Sequence, residues 1–143
     1  MLLDITHPNK KQETLINDLV GKKFSFFKIL KMKGVASKRI MVKDVSPNLL
    51  FVLNSVENVN YANLELRPSG LIIRITKGLK RFAWAIPYYQ LVIYNLNGSS
   101  IHAQGKFIHF KANTLFKENK SFFNKLLDEK IKYDTNYSFQ NVV

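Results

Sequence analysis

Eight short apolar segments between residues 40 and 111 constrain the fold of this chain more than any other feature. They are IMVKDV, LLFVLN, YANLELR, LIIRITK, RFAWAI, LVIYNL, SIHAQ and KFIHFK, and they are rich in β-branched and aromatic residues. Turn-forming groups such as Ser-Pro-Asn, Pro-Ser-Gly and Asn-Gly-Ser-Ser separate them. This alternation of strand-length segments and turns is typical of an antiparallel sheet or a small barrel.

The clearest hairpin lies in the segment YANLELRPSGLIIRITK. A tight turn at Ser69 and Gly70 is expected to join its two strands, with Glu65 facing Arg74 as a cross-strand ion pair. The apolar pairs expected from that turn are Leu64 with Ile75 and Leu66 with Ile73.

The segment from Phe82 to Gly105 contains no Asp, Glu, Lys or Arg, although the chain carries a net charge of +12. A membrane span, an enzyme pocket or the middle of a sheet could each explain this. Its strictly apolar runs, 82–86 and 91–94, have strand lengths, and many polar residues interrupt it, which argues against a span. The sequence therefore predicts two largely covered strands, with Pro87 between them and the second running from Tyr89 to Leu96.

Helical periodicity occurs on both sides of the predicted sheet. Apolar residues at i, i+4 spacing predict a short helix from about Gln12 to Val20, which Gly21 would end. The segment KKFSFFKILKMKG fits neither a helix nor a strand cleanly, and Gly34 ends it in either case. A closing helix is expected from about Lys117 to Tyr133, with its apolar stripe on the sheet. That stripe comprises Phe123, Leu126, Leu127 and Ile131, with Phe122 at its edge.

These elements predict an α+β fold, mainly an antiparallel sheet or small barrel with a C-terminal helix packed on it and a short N-terminal helix. The length of 143 residues and the 46% hydrophobic content suit a single domain. Within it we expect a basic N-terminal helix and arm at 1–45, a β-rich core with its closing helix at 46–133, and a flexible tail at 134–143.

The chain lacks the residues that several classes of function need. The chain has no cysteine, which excludes disulfides, thiolate metal sites and thiol nucleophiles. A metal site built on His102 and His109 would need a carboxylate that the sequence does not offer nearby, so structural or surface roles are expected for the three histidines, His7, His102 and His109. No G-x-S-x-G motif or phosphate-binding loop is present. We therefore expect no enzymatic activity, no metal and no cofactor.

Positive charge is concentrated near the N-terminus. Residues 1–43 hold ten Lys or Arg against three Asp or Glu, and no acid lies between Lys22 and Lys43. The candidate anion-binding residues in this segment are Lys22, Lys23, Lys28, Lys31, Lys33, Lys38 and Arg39. With the interleaved Phe24, Phe26 and Phe27, they could bind a nucleic acid strand or press an amphipathic helix into an anionic membrane. The alternative, which we favour at this point, places the phenylalanines in the core and leaves the lysines as a solvated face.

A second basic group, Lys77, Lys80 and Arg81, falls in the loop between two predicted strands. It could hold an anion, but a solvated hairpin tip explains it equally well.

Residues 46–133 resemble the bacterial pleckstrin-homology-like group, through LRPSGLIIR, WAIPYYQL and the closing segment FKENKSFFNKLLDEK. The resemblance implies a small barrel closed by a helix. The N-terminal forty residues depart from the group, and the Lys-x-Lys/Arg-x-Arg pattern of its phosphoinositide-binding members is absent. Lipid binding is therefore not implied by the resemblance.

The function expected from the sequence is a non-enzymatic binding module that docks a protein segment or an anionic surface such as a membrane. The alternative is a nucleic-acid-binding protein that uses the basic N-terminal segment. Because the N-terminus lacks the features of a secretory signal, a cytoplasmic location is expected. The sequence leaves the oligomeric state open.

Overall fold

An eight-stranded antiparallel sheet forms the centre of the protein, with helices packed on it. The computed structural model describes residues 1–54, 59–94 and 98–141, with side chains up to residue 136. The strands are β1 (Leu2–Asp4), β2 (Ile40–Val45), β3 (Asn60–Arg67), β4 (Gly70–Lys77), β5 (Lys80–Pro87), β6 (Val92–Tyr94), β7 (Gly98–Ala103) and β8 (Lys106–Lys111). They lie in the order β1-β5-β4-β3-β2-β8-β7-β6, so the expected α+β fold with an antiparallel sheet is confirmed.

Four α-helices accompany the sheet in the described part of the chain. They are α1 (Lys10–Val20), α2 (Phe26–Lys31), α3 (Thr114–Glu118) and α4 (Lys120–Asn141). Asn9, Ser25 and Asn113 accept a hydrogen bond from a backbone N–H of the first turn of α1, α2 and α3 respectively. Such caps explain why each helix begins where it does. Two short 3₁₀-helices, Pro47–Val52 and Tyr88–Gln90, follow β2 and β5.

The two faces of the sheet are buried in different ways. On the inner face the strands form the main core, around Trp84, Ile73 and Phe110, and Phe122, Phe123 and Leu126 of α4 pack against it. On the outer face, Ile16 and Val20 of α1 cover Ile72, Ala83 and Ala85 of β4 and β5. This second cluster explains the absence of charge from Phe82 to Pro87, the part of β5 that follows the exposed Lys80 and Arg81. Both faces of that strand are covered, as expected from the sequence.

The second half of the uncharged segment differs from the prediction. The chain after Pro87 forms the 3₁₀-helix Tyr88–Gln90, and only Val92–Tyr94 continues as a strand. Because β6 is the edge strand, Val92 and Tyr94 are about half exposed, at 46% and 51%. The prediction of a long, covered second strand is therefore wrong. The last two predicted positions, Asn95 and Leu96, lie outside the described residues.

The segment LLFVLN is not a strand. Residues Pro47–Val52 form a 3₁₀-helix with Pro47 in its first turn, where the missing N–H costs nothing. Leu49 and Val52, three residues apart, are buried, and Leu50 and Phe51 between them are exposed. The apolar character that suggested a strand therefore comes from a short helix with one buried side.

The β3–β4 hairpin forms with a register two residues away from the expected one. Its turn residues are Pro68 and Ser69, so that Leu64 lies opposite Ile73 and Leu66 opposite Leu71. Glu65 and Arg74 are diagonal neighbours rather than direct partners. Their side chains still form the expected ion pair, with Arg74 Nη1 3.2 Å from a Glu65 carboxylate oxygen.

The closing helix is longer than its apolar pattern. It is split at Asn119 into α3 and α4, and α4 continues past Tyr133 to Asn141. Phe122, Phe123 and Leu126 are buried as expected, but Ile131 is 61% exposed, so its predicted place in the stripe is wrong. Ile131 faces away from the core, whereas Tyr133 still packs on it, with its ring centre 5.7 Å from that of Tyr88.

Candidate anionic-surface site

The most exposed cluster of large apolar side chains that the structure describes lies on α2. Phe26, Phe27 and Leu30 are 70%, 80% and 59% exposed, whereas Ile29 on the other side of the helix is half-buried. At about 100° per residue, the three exposed side chains share one side of the helix. Phe24, which precedes the helix, packs against the core. The expectation that these phenylalanines are buried is therefore right for Phe24 and wrong for Phe26 and Phe27.

Two lysines lie past the Phe27 edge of the apolar side of α2, since at about 100° per residue Lys31 is about 40° and Lys28 about 100° beyond Phe27. Lys28 and Lys31 are exposed and belong to the same helix. No carboxylate occurs in the sequence from residue 22 to residue 43. We call Phe26, Phe27, Leu30, Lys28 and Lys31 the α2 patch. Apolar side chains that face solvent within a basic surface are the arrangement found in segments that lie at an anionic membrane interface.

Hydrogen bonds fix the chain that follows α2. The helix ends with Lys33 and Gly34 in positive φ, at 61° and 92°, and the Gly34 N–H donates to Ile29 O at 2.9 Å. The Lys125 ammonium on α4 donates to the carbonyls of Lys33 and Gly34, at 2.8 and 3.2 Å. The following residues pair with β3, since the Leu66 N–H donates to Val35 O at 2.8 Å. The C-terminal end of the helix is therefore held to both the sheet and α4.

A buried arginine anchors the segment that leads into α2. Arg67 is 4% exposed, and its Nη1 donates to Gly21 O at 2.8 Å and to Asn17 Oδ1 at 3.0 Å. Its Nε donates to Glu65, whose other carboxylate oxygen accepts from Arg74. Burial alone would raise the pKa of Glu65, but the hydrogen bond from Arg67 and the two arginine charges outweigh it and lower that pKa. Sequence reasoning missed Arg67 because a lone arginine at a strand end carries no periodic signal.

The predicted basic residues do not form one site. Lys22 and Lys23 line an open groove of about 1020 Å³ between α1 and the outer face of the sheet, together with Arg67 and Arg74. Lys28, Lys31 and Lys33 belong to α2 and its end. Lys38 is exposed next to Arg39, whose guanidinium lies 4.5 Å from the ring centre of Tyr61. The basic segment thus divides among a groove, a helix and the residues that lead into the interior strand β2.

The second basic group lies at the far end of the sheet. Lys77 and Lys80 pair at the end of the β4–β5 hairpin, next to exposed Arg81. Lys77 Nζ donates to Phe51 O at 3.0 Å. The turn itself carries Leu79, which is 95% exposed.

Two of the histidines, His102 and His109, have local partners. His102 Nε2 lies 2.7 Å from Ser100 Oγ, and its ring stacks on Phe107 with 5.3 Å between centres. The sequence offered no carboxylate near His109, but the fold places Asp44 of the neighbouring strand 3.4 Å from its Nδ1. Among the residues that the structure describes, no three His, Cys, Asp or Glu side chains group as metal ligands would.

Comparison with family models, curated proteins and solved structures finds no match to this chain. Within the described ranges, no helix is long and apolar enough to cross a bilayer.

Proposed function

We propose that the protein is a non-enzymatic, cytoplasmic binding module that docks to an anionic membrane surface through the α2 patch. The observation that carries this proposal is the exposure of Phe26 and Phe27, at 70% and 80%, on a helix whose C-terminal end is held in place and which also carries two exposed lysines. A solvated basic face would not require these rings to point outward. The expected resemblance to the pleckstrin-homology-like group stays a prediction and is not part of the argument.

The free energies that phenylalanine and lysine side chains contribute to membrane binding favour a lipid surface as the partner. A phenylalanine ring that enters the interface contributes on the order of 1–2 kcal/mol, because full burial contributes about 1.5–3 kcal/mol. Each lysine near an anionic leaflet adds about 1 kcal/mol. Two rings and two lysines are therefore sufficient for reversible binding, and both kinds of residue are needed for it.

Co-sedimentation with vesicles tests the proposal. The parent protein is mixed with vesicles of phosphatidylcholine alone, or of three parts phosphatidylcholine to one part phosphatidylserine, at about 0.15 M salt. We expect the parent to pellet only with the anionic vesicles. The variant Phe26→Ser/Phe27→Ser should bind at least tenfold more weakly, because the apolar contribution is lost.

A matched control separates the patch from exposed apolar residues in general. Ile131→Ser/Val92→Ser also removes two exposed apolar side chains, which are 61% and 46% exposed and lie on α4 and β6. It should bind like the parent. Equal losses in the two double variants would contradict the proposal. Binding to a single-stranded oligonucleotide at the same salt, without binding to vesicles, would favour the nucleic-acid alternative instead.

A further inference from the structure

A second exposed apolar group with flanking cations lies at the other end of the sheet. Leu79 at the β4–β5 turn is 95% exposed, and Leu50 and Phe51 of the first 3₁₀-helix are 58% and 54% exposed. The hydrogen bond from Lys77 Nζ to Phe51 O joins this helix to the hairpin. Lys80 and Arg81 follow Leu79 directly and are exposed. We call Leu50, Phe51, Leu79, Lys80 and Arg81 the hairpin patch.

The charge of the hairpin patch also suits an anionic partner. The described carboxylate close to it is Asp4, whose oxygen accepts hydrogen bonds from the backbone N–H and hydroxyl of Thr6. Those bonds, and to a smaller extent the charge of Lys80, lower the pKa of Asp4. Among the described residues, this end of the sheet thus carries Lys77, Lys80 and Arg81 together with the carboxylate of Asp4.

The two patches lie at opposite ends of one strand. The chain that leads into α2 contacts the β3–β4 turn, where the Ser69 N–H donates to Val20 O at 2.9 Å and Gly21 packs against Pro68. Leu79 lies in the β4–β5 turn, at the other end of the eight-residue strand β4. At about 3.4 Å per residue, the ends of β4 are roughly 24 Å apart.

We infer that the protein bridges two anionic membrane surfaces, with the α2 patch on one and the hairpin patch on the other. This inference rests on the proposed function, because it assigns the second surface to the same kind of partner. Each patch combines apolar side chains that enter the interface with lysines or arginines that meet anionic headgroups. The sheet between them is a rigid spacer that keeps the two bilayers at least its own length apart.

Vesicle aggregation, measured beside vesicle binding, tests the inference. The parent protein is added to vesicles of three parts phosphatidylcholine to one part phosphatidylserine, and light scattering is followed together with co-sedimentation. We expect the parent to bind and to aggregate the vesicles. The variant Leu79→Ser/Lys80→Glu/Arg81→Glu should keep binding within about threefold and lose aggregation by more than tenfold, because the α2 patch, which we infer to be the stronger of the two membrane sites, is intact.

The control Ile131→Ser/Lys11→Glu/Lys111→Glu makes the same kinds of change at exposed positions outside both patches. It should bind and aggregate vesicles like the parent. Since all three hairpin residues are exposed and two follow the turn, the hairpin variant should also retain the circular dichroism spectrum of the parent.

The outcomes distinguish this inference from the proposed function. A parent that fails to bind anionic vesicles overturns both. A parent that binds without aggregating them, or a hairpin variant that aggregates them as well as the parent, overturns bridging and leaves docking through α2 standing. Sedimentation of the protein alone completes the test by giving its oligomeric state. A dimer formed through the hairpin patch would aggregate vesicles with only one membrane site on each copy. That result would also overturn bridging.

Discussion

Individual buried side chains hold this fold through contacts that their sequence neighbours do not reveal. Trp84 is 2% exposed, and its indole N–H donates to Gln104 Oε1 at 3.0 Å, in the turn between β7 and β8. Arg67 similarly joins β3 to the end of α1. The burial of Trp84 was predictable from its alternation with Phe82 and Ile86. Its polar partner was not, because twenty residues separate the two in sequence.

Trp84→Ala should destabilise the protein by about 3–5 kcal/mol, since it removes a large buried ring and leaves a cavity. Chemical unfolding monitored by circular dichroism measures this. The parent should also show blue-shifted tryptophan emission. Tyr89→Ala, at a residue 64% exposed, should change stability by less than about 0.5 kcal/mol. Emission like that of a solvated tryptophan would contradict the assignment of this face.

Glu65→Gln should lower stability at neutral pH by about 3 kcal/mol, because it leaves buried Arg67 without its carboxylate partner. The folded-state pKa of Glu65 is below its unfolded value. Its stabilising effect is therefore complete above the unfolded pKa and is lost as the pH falls through the folded pKa. The difference between parent and variant should shrink below about pH 4. A difference that stays constant with pH would show that the ion pair contributes little.

At the scale of elements, the sheet was predictable where apolar residues alternate in long strands, as in β3, β4 and β5. The strand prediction was wrong in short apolar segments that bury only one of their sides. Pro47–Val52 and Val92–Tyr94 are both apolar, but one is a 3₁₀-helix and the other an exposed edge. The short strand β1 was missed because LLD is too brief to show alternation. For the candidate site, sequence identified the basic segment but not which of its phenylalanines are exposed, because exposure depends on how the residues before and after α2, such as Phe24 and Met32, pack on the core.

The docking of α1 on the β3–β4 turn depends on a glycine. A Cβ on Gly70 would overlap the carbonyl oxygen of Ile86 and a methyl group of Val20. Gly70→Ala should therefore destabilise the protein by about 1–3 kcal/mol, as measured by thermal or urea unfolding. Adding Val20→Ala should give a combined loss smaller than the sum of the two single losses, since one of the overlaps disappears. Strict additivity would argue against this contact.

The closing helix covers one side of the main core through Phe122, Phe123 and Leu126. Truncation after Ala112 should therefore expose apolar core surface and give an aggregating or unfolded product. Size-exclusion chromatography and the cooperativity of urea unfolding measure the outcome. A monomeric fragment that unfolds cooperatively would show that the sheet does not need the helix.

At the scale of the whole molecule, the position of positive charge should matter more than its total. Lys23→Glu/Lys28→Glu/Lys31→Glu and Lys11→Glu/Lys111→Glu/Lys132→Glu each lower the net charge from +12 to +6. The first variant should weaken binding to anionic vesicles by about 1 kcal/mol or more per residue, and the second should weaken it much less. Lys125 is unsuitable for the control because it holds the carbonyls of Lys33 and Gly34. Equal losses would mean that the net charge alone attracts polyanions.

The anchoring of α2 has a consequence for the speed and the thermodynamics of docking. Many membrane-binding segments are unstructured in water and become helical only at the interface, which costs conformational entropy. Here Ser25 already caps the helix and Lys125 already holds its end. The rings are therefore presented before contact, and docking should proceed without a gain in far-UV helicity, at an association rate set by electrostatic attraction instead of by folding.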